Sequence, residues 1–156
     1  MFVILFFTLQ TIYYFLRPAI TPFVVDKLTT GMSLRIINTF SHTDKPNAQS
    51  AVISSENFSL KIERGCEGTE GMLLLVAAIC AFPAGIRQKV LGITGGILVI
   101  YVFNLGRIAG LYFTLKLNPN LFDMMHIYVG QTIIIFIAIV FFIAWLSRIE
   151  RTSRKN

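Results

Sequence analysis

Three residues of types that carry out acyl transfer each lie near one end of a different apolar segment. They are Cys66, Arg107 and His126. A thiolate is a nucleophile, an imidazole can take up and return a proton, and a guanidinium can stabilise a developing oxyanion. The basic residues that flank the apolar segments place these three ends on one side of a membrane. The sequence therefore predicts a cysteine acyl-transfer centre at one membrane face.

The composition indicates an integral membrane protein. Of the 156 residues, 54% are hydrophobic and 14% are charged, whereas about a quarter of the residues are charged in a typical soluble domain. The apolar residues form continuous runs close to the ~20 residues that a spanning helix needs. The net charge of +6 lies largely at the ends of these runs, without the basic stripe or aromatic platform of a nucleic-acid-binding surface. We therefore expect lipid, and no nucleic acid, around the chain.

The predicted fold is an all-α membrane protein, a single integral membrane domain over residues 1–156. About four transmembrane helices are expected, over residues 2–17, 71–86, 90–115 and 127–147. The polar segment 19–65 between the first two has an amphipathic part over 22–40. It ends in two short stretches, 51–54 and 58–63, which predict a β-hairpin because apolar and polar residues alternate in the second. This small extracytoplasmic region leads directly to Cys66.

The distribution of basic residues predicts the orientation. The 87–89 turn and the tail contain six Lys and Arg residues, and the 116–126 loop contains only Lys116. Cytoplasmic loops carry the excess of Lys and Arg, so both termini are expected inside and the 19–65 segment outside. Arg17 is on the wrong side for this assignment. The expected location is the inner (cytoplasmic) membrane, with several spans and the active site on the outer face.

The surroundings of Cys66 suggest both activation and a conflict of charge. A thiol at a helix N-terminus is favoured as thiolate by the positive end of the helix dipole. Glu63, Glu67 and Glu70 crowd the thiol and oppose thiolate formation, unless they pair with Arg64 or Arg107 or bind a basic substrate. The sequence leaves these alternatives open.

The other candidate residues have plainer interpretations as well. Asn104 lies one helical turn before Arg107 and shares its face, although an arginine there could also simply extend to the interface. Gly106 and Gly110 form a G-x-x-x-G pattern, which predicts a close helix contact. Cys80, fourteen residues after Cys66, is about 21 Å away if both lie on one helix. That is too far for a disulfide, so Cys80 is expected to serve packing.

No metal or cofactor is expected. The Cys, His and Glu residues lack any standard spacing of metal ligands, and a zinc-protease H-E-x-x-H motif is absent.

The sequence resembles the exosortase/archaeosortase family, and most of all its compact, exosortase H-like members. The resemblance rests on Cys66-Glu67-Gly68 at the start of one span, Asn104-Leu105-Gly106-Arg107 late in the next, and His126 at the start of the last. It covers roughly residues 58–146. Family members often have Ser or Ala where this chain has Glu67, and larger relatives have more spans.

The resemblance implies a membrane cysteine peptidase and transpeptidase. Such an enzyme recognises exported proteins by a C-terminal sorting signal, made of a short motif, a transmembrane helix and a basic tail. It passes them to an envelope acceptor such as a glycan or a lipid. By position, Cys66 is the nucleophile, Arg107 the stabilising cation and His126 the proton shuttle. Asn104 and the three glutamates are then supporting or substrate-binding residues.

Two other functional classes compete with this interpretation. The chain could be a non-enzymatic membrane subunit or adapter that docks a partner through its outer hairpin. It could also be a small transporter, although four spans give little sign of inverted repeats.

The orientation is testable with single introduced cysteines. Cysteines at Asn47 and Ser153 should be labelled by an impermeant thiol reagent from opposite sides of the membrane, because basic flanks fix both termini inside. Labelling of both positions from the same side would contradict the predicted topology.

Overall fold

The computed structural model describes residues 1–41, 45–62 and 66–153. It consists of five α-helices and a small antiparallel sheet. Three helical stretches are long and apolar enough to cross a membrane, and a shorter apolar helix accompanies them. The predicted fold class is therefore confirmed, and the chain is a multi-pass membrane protein.

The first helical stretch is longer than the sequence predicted. Helix α1 (Phe2–Thr21) passes the expected end at residue 17 and continues through a π-helical segment (Pro22–Thr30) into α2 (Gly31–Phe40). In the π-helical segment the hydroxyls of Thr29 and Thr30 each donate to the carbonyl five residues earlier, at 2.9 Å. The amphipathic part of the expected polar segment is therefore helical and continuous with the first span.

The region between α2 and Cys66 contains one more strand than the predicted hairpin. Strands β1 (Asn47–Gln49), β2 (Val52–Ser54) and β3 (Ser59–Lys61) pair antiparallel in sequence order. Ile53 of β2 lies opposite Leu60 of β3, and both side chains are buried. The sequence predicted no strand at β1, because turn-forming residues precede it and only one of its three residues is apolar.

Three helices follow the sheet. Helix α3 (Thr69–Ala81) ends before Pro83 and so is shorter than the predicted span 71–86. Helix α4 (Ile86–Leu117) leads through a 3₁₀ turn (Pro119–Leu121) and a second π-helical segment (Met124–Val129) into α5 (Gly130–Ser153).

The core has two layers. One packs α3, α4 and α5 together around Leu75, Ile100 and Ile134. The other packs the sheet and α2 against the second half of α4, and Cys66 belongs to it. The candidate site lies where the membrane helices meet the layer that contains the sheet.

The close helix contacts do not involve the predicted glycine pair. A Cβ built on Gly106 or Gly110 would meet nothing within 4 Å. A Cβ on Gly92 would instead lie against the Trp145 ring, 2.8 Å from its Cδ1 atom, and one on Gly71 would lie 2.7 Å from the Ile134 Cγ2 atom. The expectation for the G-x-x-x-G pattern was wrong within this chain, because that face of α4 borders an open groove.

Candidate active site

Cys66 lies in a turn, Cys66–Gly68, that rests directly on α4. Gly68 has a φ of 74°, in the left-handed region that favours glycine. A Cβ at Gly68 would also lie 2.8 Å from the side-chain Cγ of Asn104. The Asn104 side-chain amide donates to the Cys66 carbonyl oxygen at 2.9 Å. Asn104, which is completely buried, therefore fixes the backbone that carries the thiol.

His126 reaches Cys66 from the far end of the chain. Its Nε2 atom lies 2.6 Å from the Cys66 Sγ atom, within hydrogen-bonding distance. His126 belongs to the π-helical segment that leads into α5, and its ring packs on Phe122 with centroids 5.5 Å apart. Single π-helical turns are frequent at functional sites. A thiol and an imidazole in this geometry can exchange a proton.

Arg107 connects both residues to α4. Its Nη2 atom donates to the His126 carbonyl oxygen at 3.1 Å, and its guanidinium interacts electrostatically with Cys66 and Glu70. Gly130 makes this approach possible, since a Cβ there would lie 3.1 Å from the Arg107 Cδ atom. The structure thus brings Cys66, Arg107 and His126 together, whereas their chemical roles stay predictions.

Glu67 is held by residues that the sequence did not single out for this site. Its side chain is 3% exposed, and one carboxylate oxygen forms an ion pair with Arg17 at 2.5 Å. The other oxygen accepts a hydrogen bond from Tyr13 at 2.5 Å. Glu67 is therefore paired with Arg17, a residue that was not among the predicted partners, rather than with Arg107. The one sequence feature that pointed to this pairing was Arg17 itself. It is a basic residue at the predicted outer end of a span, where the excess of Lys and Arg in cytoplasmic loops disfavours it.

The other two glutamates differ from Glu67. Glu70 lies in the first turn of α3 and is exposed, which leaves it available to a substrate. Glu63 and its neighbour Arg64 lie outside the described residues.

Two expectations concerned metal ions and the second cysteine. Within residues 1–41, 45–62 and 66–153, no group of three or more His, Cys, Asp and Glu side chains could hold a metal ion. Cys66 and Cys80 are not joined in a disulfide. Cys80 lies near the end of α3, where its carbonyl oxygen accepts a hydrogen bond from Lys89 at 2.8 Å.

Gly130 is a further residue that the sequence analysis missed. It follows His126 by four residues, and its lack of a side chain matters because Arg107 and the Met125 carbonyl oxygen both pack there. The sequence could have offered only the proximity of a glycine to the histidine.

The fold and this site define a multi-pass membrane protein that holds a thiol, an imidazole and a guanidinium together at one end of its helices. The chain belongs to the transmembrane exosortase family, whose family model matches residues 1–144. No curated protein and no solved structure matches the chain.

The geometry predicts a difference in reactivity between the two thiols. A small neutral alkylating reagent should modify Cys66 before Cys80, because His126 and Arg107 favour the Cys66 thiolate. Arg107→Ala should slow alkylation of Cys66 about tenfold at neutral pH, through loss of the nearby positive charge.

The measurement is the rate of modification of each cysteine in membranes, read by mass spectrometry. Cys80 is the internal control and should react at the same rate in both proteins. Earlier modification of Cys80 than of Cys66 would contradict the assignment of Cys66 as nucleophile.

Proposed function

We propose that this protein is a membrane-embedded cysteine peptidase and transpeptidase, which cleaves the C-terminal sorting signal of exported proteins and transfers them to an envelope acceptor. The observation that carries the proposal is the 2.6 Å separation of Cys66 Sγ and His126 Nε2, beside the guanidinium of Arg107. Membership of the exosortase family supports the same reaction class.

The first half of the reaction forms an acyl-enzyme. His126 accepts the proton of the Cys66 thiol, and the thiolate adds to the carbonyl carbon of the scissile peptide bond. Arg107 stabilises the negative charge that develops on the carbonyl oxygen. His126 then returns the proton to the leaving amine, the C–N bond breaks, and the released fragment carries the rest of the sorting signal. The remaining protein is bound to Cys66 as a thioester.

The second half of the reaction transfers the protein. A nucleophilic group of the acceptor attacks the thioester carbonyl while His126 takes its proton. The tetrahedral intermediate collapses and the C–S bond breaks. The departing Cys66 thiolate takes the proton from His126, which restores the thiol. Water in place of the acceptor gives hydrolysis by the same steps, so access of the acceptor decides between transfer and cleavage.

The depth of the site suits a substrate that is itself anchored in the membrane. Helix α3 has 13 residues and spans about 20 Å, whereas the hydrocarbon core of a bilayer is about 30 Å thick. With both termini in the cytoplasm, Cys66 then lies recessed below the outer surface of the inner membrane. A peptide bond next to a transmembrane helix would lie at a similar depth.

An open groove next to the site is suited to such a helix. It has a volume of about 550 Å³, and Arg107 and Gly130 line it together with the exposed pair Gly106 and Gly110. Small residues four apart allow another helix backbone to approach closely within a membrane. We infer that the transmembrane segment of the substrate lies along this groove, which would place its outer end beside Arg107.

The adapter interpretation has less support. The apolar side chains of the sheet, Ile53 and Leu60, are buried within the protein's own core. This face of the sheet is therefore not available for docking a partner.

The proposed mechanism predicts the effect of removing each reactive group. Cys66→Ala, Arg107→Ala and His126→Ala should each leave a reporter protein with a sorting signal at full length, and Cys66→Ala should form no covalent adduct. Loss of one oxyanion-stabilising donor typically lowers the rate ~10²–10³-fold, and loss of the nucleophile or the base should cost at least as much. Arg107→Lys should restore little, because an ammonium lacks the planar fork of donors.

The measurement is processing of the reporter in membranes, with the amount of each variant checked by immunoblot. The triple variant should be about as inactive as each single variant, as expected for residues that act as a unit. Processing by Cys66→Ala above a trace level would refute the mechanism.

The groove predicts a defect in processing that leaves the thiol intact. Gly110→Leu should lower processing at least about tenfold, because the side chain occupies the space required for close helix packing. Alkylation of Cys66 should keep its original rate. Thr94→Leu, an exposed position on the same helix, is the matched control and should process normally. Normal processing by Gly110→Leu would contradict the inference that the substrate's transmembrane segment lies along the groove.

A further inference from the structure

The Glu67 carboxylate poses a problem for any reaction at Cys66. It belongs to the residue directly after the nucleophile, it is 3% exposed, and a nearby negative charge disfavours a thiolate. Burial makes the effect stronger, because water screens the charge less. A protein that uses Cys66 as a nucleophile must therefore compensate the charge of Glu67.

Helix α1 provides that compensation. Arg17 pairs with one carboxylate oxygen of Glu67 and Tyr13 donates to the other. The two residues are four apart and so share one face of the helix. Thr69 adds a longer contact of 3.5 Å to the oxygen that Tyr13 binds. Both oxygens are thus satisfied, and the carboxylate is held in one orientation.

This contact is specific within an otherwise exposed helix. No residue of α1 is buried, although the helix packs along α3. Arg17 lies where the excess of Lys and Arg in cytoplasmic loops disfavours a basic residue. The buried carboxylate of Glu67 gives it a partner there.

We propose that Tyr13 and Arg17 are positioning residues of the active site: they neutralise and orient Glu67, and thereby fix the Cys66–Gly68 turn with its thiol against His126. Neither residue touches the reacting atoms. The inference rests on the proposed function only in taking Cys66 as the nucleophile.

The charged groups around the thiol define what must be controlled in a test. His126 and Arg107 face Cys66 from the second π-helical segment and α4, and Glu70 on α3 faces Arg107. Glu67 faces the Tyr13 and Arg17 side chains of α1. Of these groups, the central comparison changes only Arg17 and Glu67, so the others stay constant within it.

The experiment is a four-protein cycle in a Cys80→Ala background: the parent, Arg17→Gln, Glu67→Gln and the double variant. The readout is the rate of Cys66 alkylation by iodoacetamide as a function of pH, in membranes. Arg17→Gln should move the midpoint of the profile up by about one pH unit, and slow alkylation about tenfold below the midpoint. Adding Glu67→Gln should return the midpoint to within a few tenths of a unit of the parent.

Further variants separate charge compensation from simple support of the fold. Arg17→Lys should leave the midpoint close to that of the parent, because it keeps the positive charge. Tyr13→Phe should slow alkylation less than Arg17→Gln, because it removes a hydrogen bond and no charge. Arg35→Gln and Tyr14→Phe are the matched controls, since both side chains are exposed on the same helical stretch, and both should leave the profile unchanged.

The outcomes distinguish this inference from the proposed function. A parent-like profile for Arg17→Gln, or a double variant as impaired as Arg17→Gln alone, overturns the inference. Loss of processing in Cys66→Ala would still support the peptidase in that case. If instead the cycle behaves as expected while Cys66→Ala still processes its substrate, the positioning of the thiol stands and the peptidase mechanism falls.

Discussion

The hydrogen bond from Asn104 to the Cys66 carbonyl is the contact on which the rest of the site depends. A turn of backbone placed among apolar helices leaves polar groups that water cannot satisfy, and each such group is costly. Asn104 satisfies one of them and joins the turn to α4 at 2.9 Å. Because Arg107 lies on the same helix one turn later, the position of the thiol and that of the cation are set by a single rigid element.

Three further segments converge on this turn. The π-helical segment before α5 supplies His126, whose carbonyl oxygen is bound by Arg107. Helix α1 supplies Tyr13 and Arg17, which bind Glu67. The sheet packs against the second half of α4 and leads the chain toward Cys66. A polar centre within a membrane protein is in this way held by groups from several parts of the fold, because burying a polar group is costly unless it is hydrogen-bonded.

Glycines permit two of these approaches. Gly68 adopts a left-handed conformation against Asn104, and Gly130 lets the start of α5 come close to Arg107. By contrast, a Cβ at Gly106 or Gly110 would meet no atom of the described residues within 4 Å, and both glycines border a groove. The same residue type thus serves close packing at some positions and open space at others, and its immediate sequence does not tell the two apart.

The sequence by itself determined the membrane class and the approximate helices, and it pointed to the three residues that the structure brings together. Long apolar runs can satisfy their backbone only as helices in lipid, and basic flanks order their ends. The resemblance singled out Cys66, Arg107 and His126, because its motifs are short and local in the sequence. Strand β1 depends on its pairing with β2, and the helical stretch from Pro22 to Phe40 depends on the packing of α2 on α4. A polar or mixed sequence pattern does not reveal either contact. The pairing of Glu67 with Arg17 was also decided by the tertiary structure. The two residues are 50 positions apart, and sequence offered nearer arginines; only the packing of α1 on α3 brings this one to the buried carboxylate.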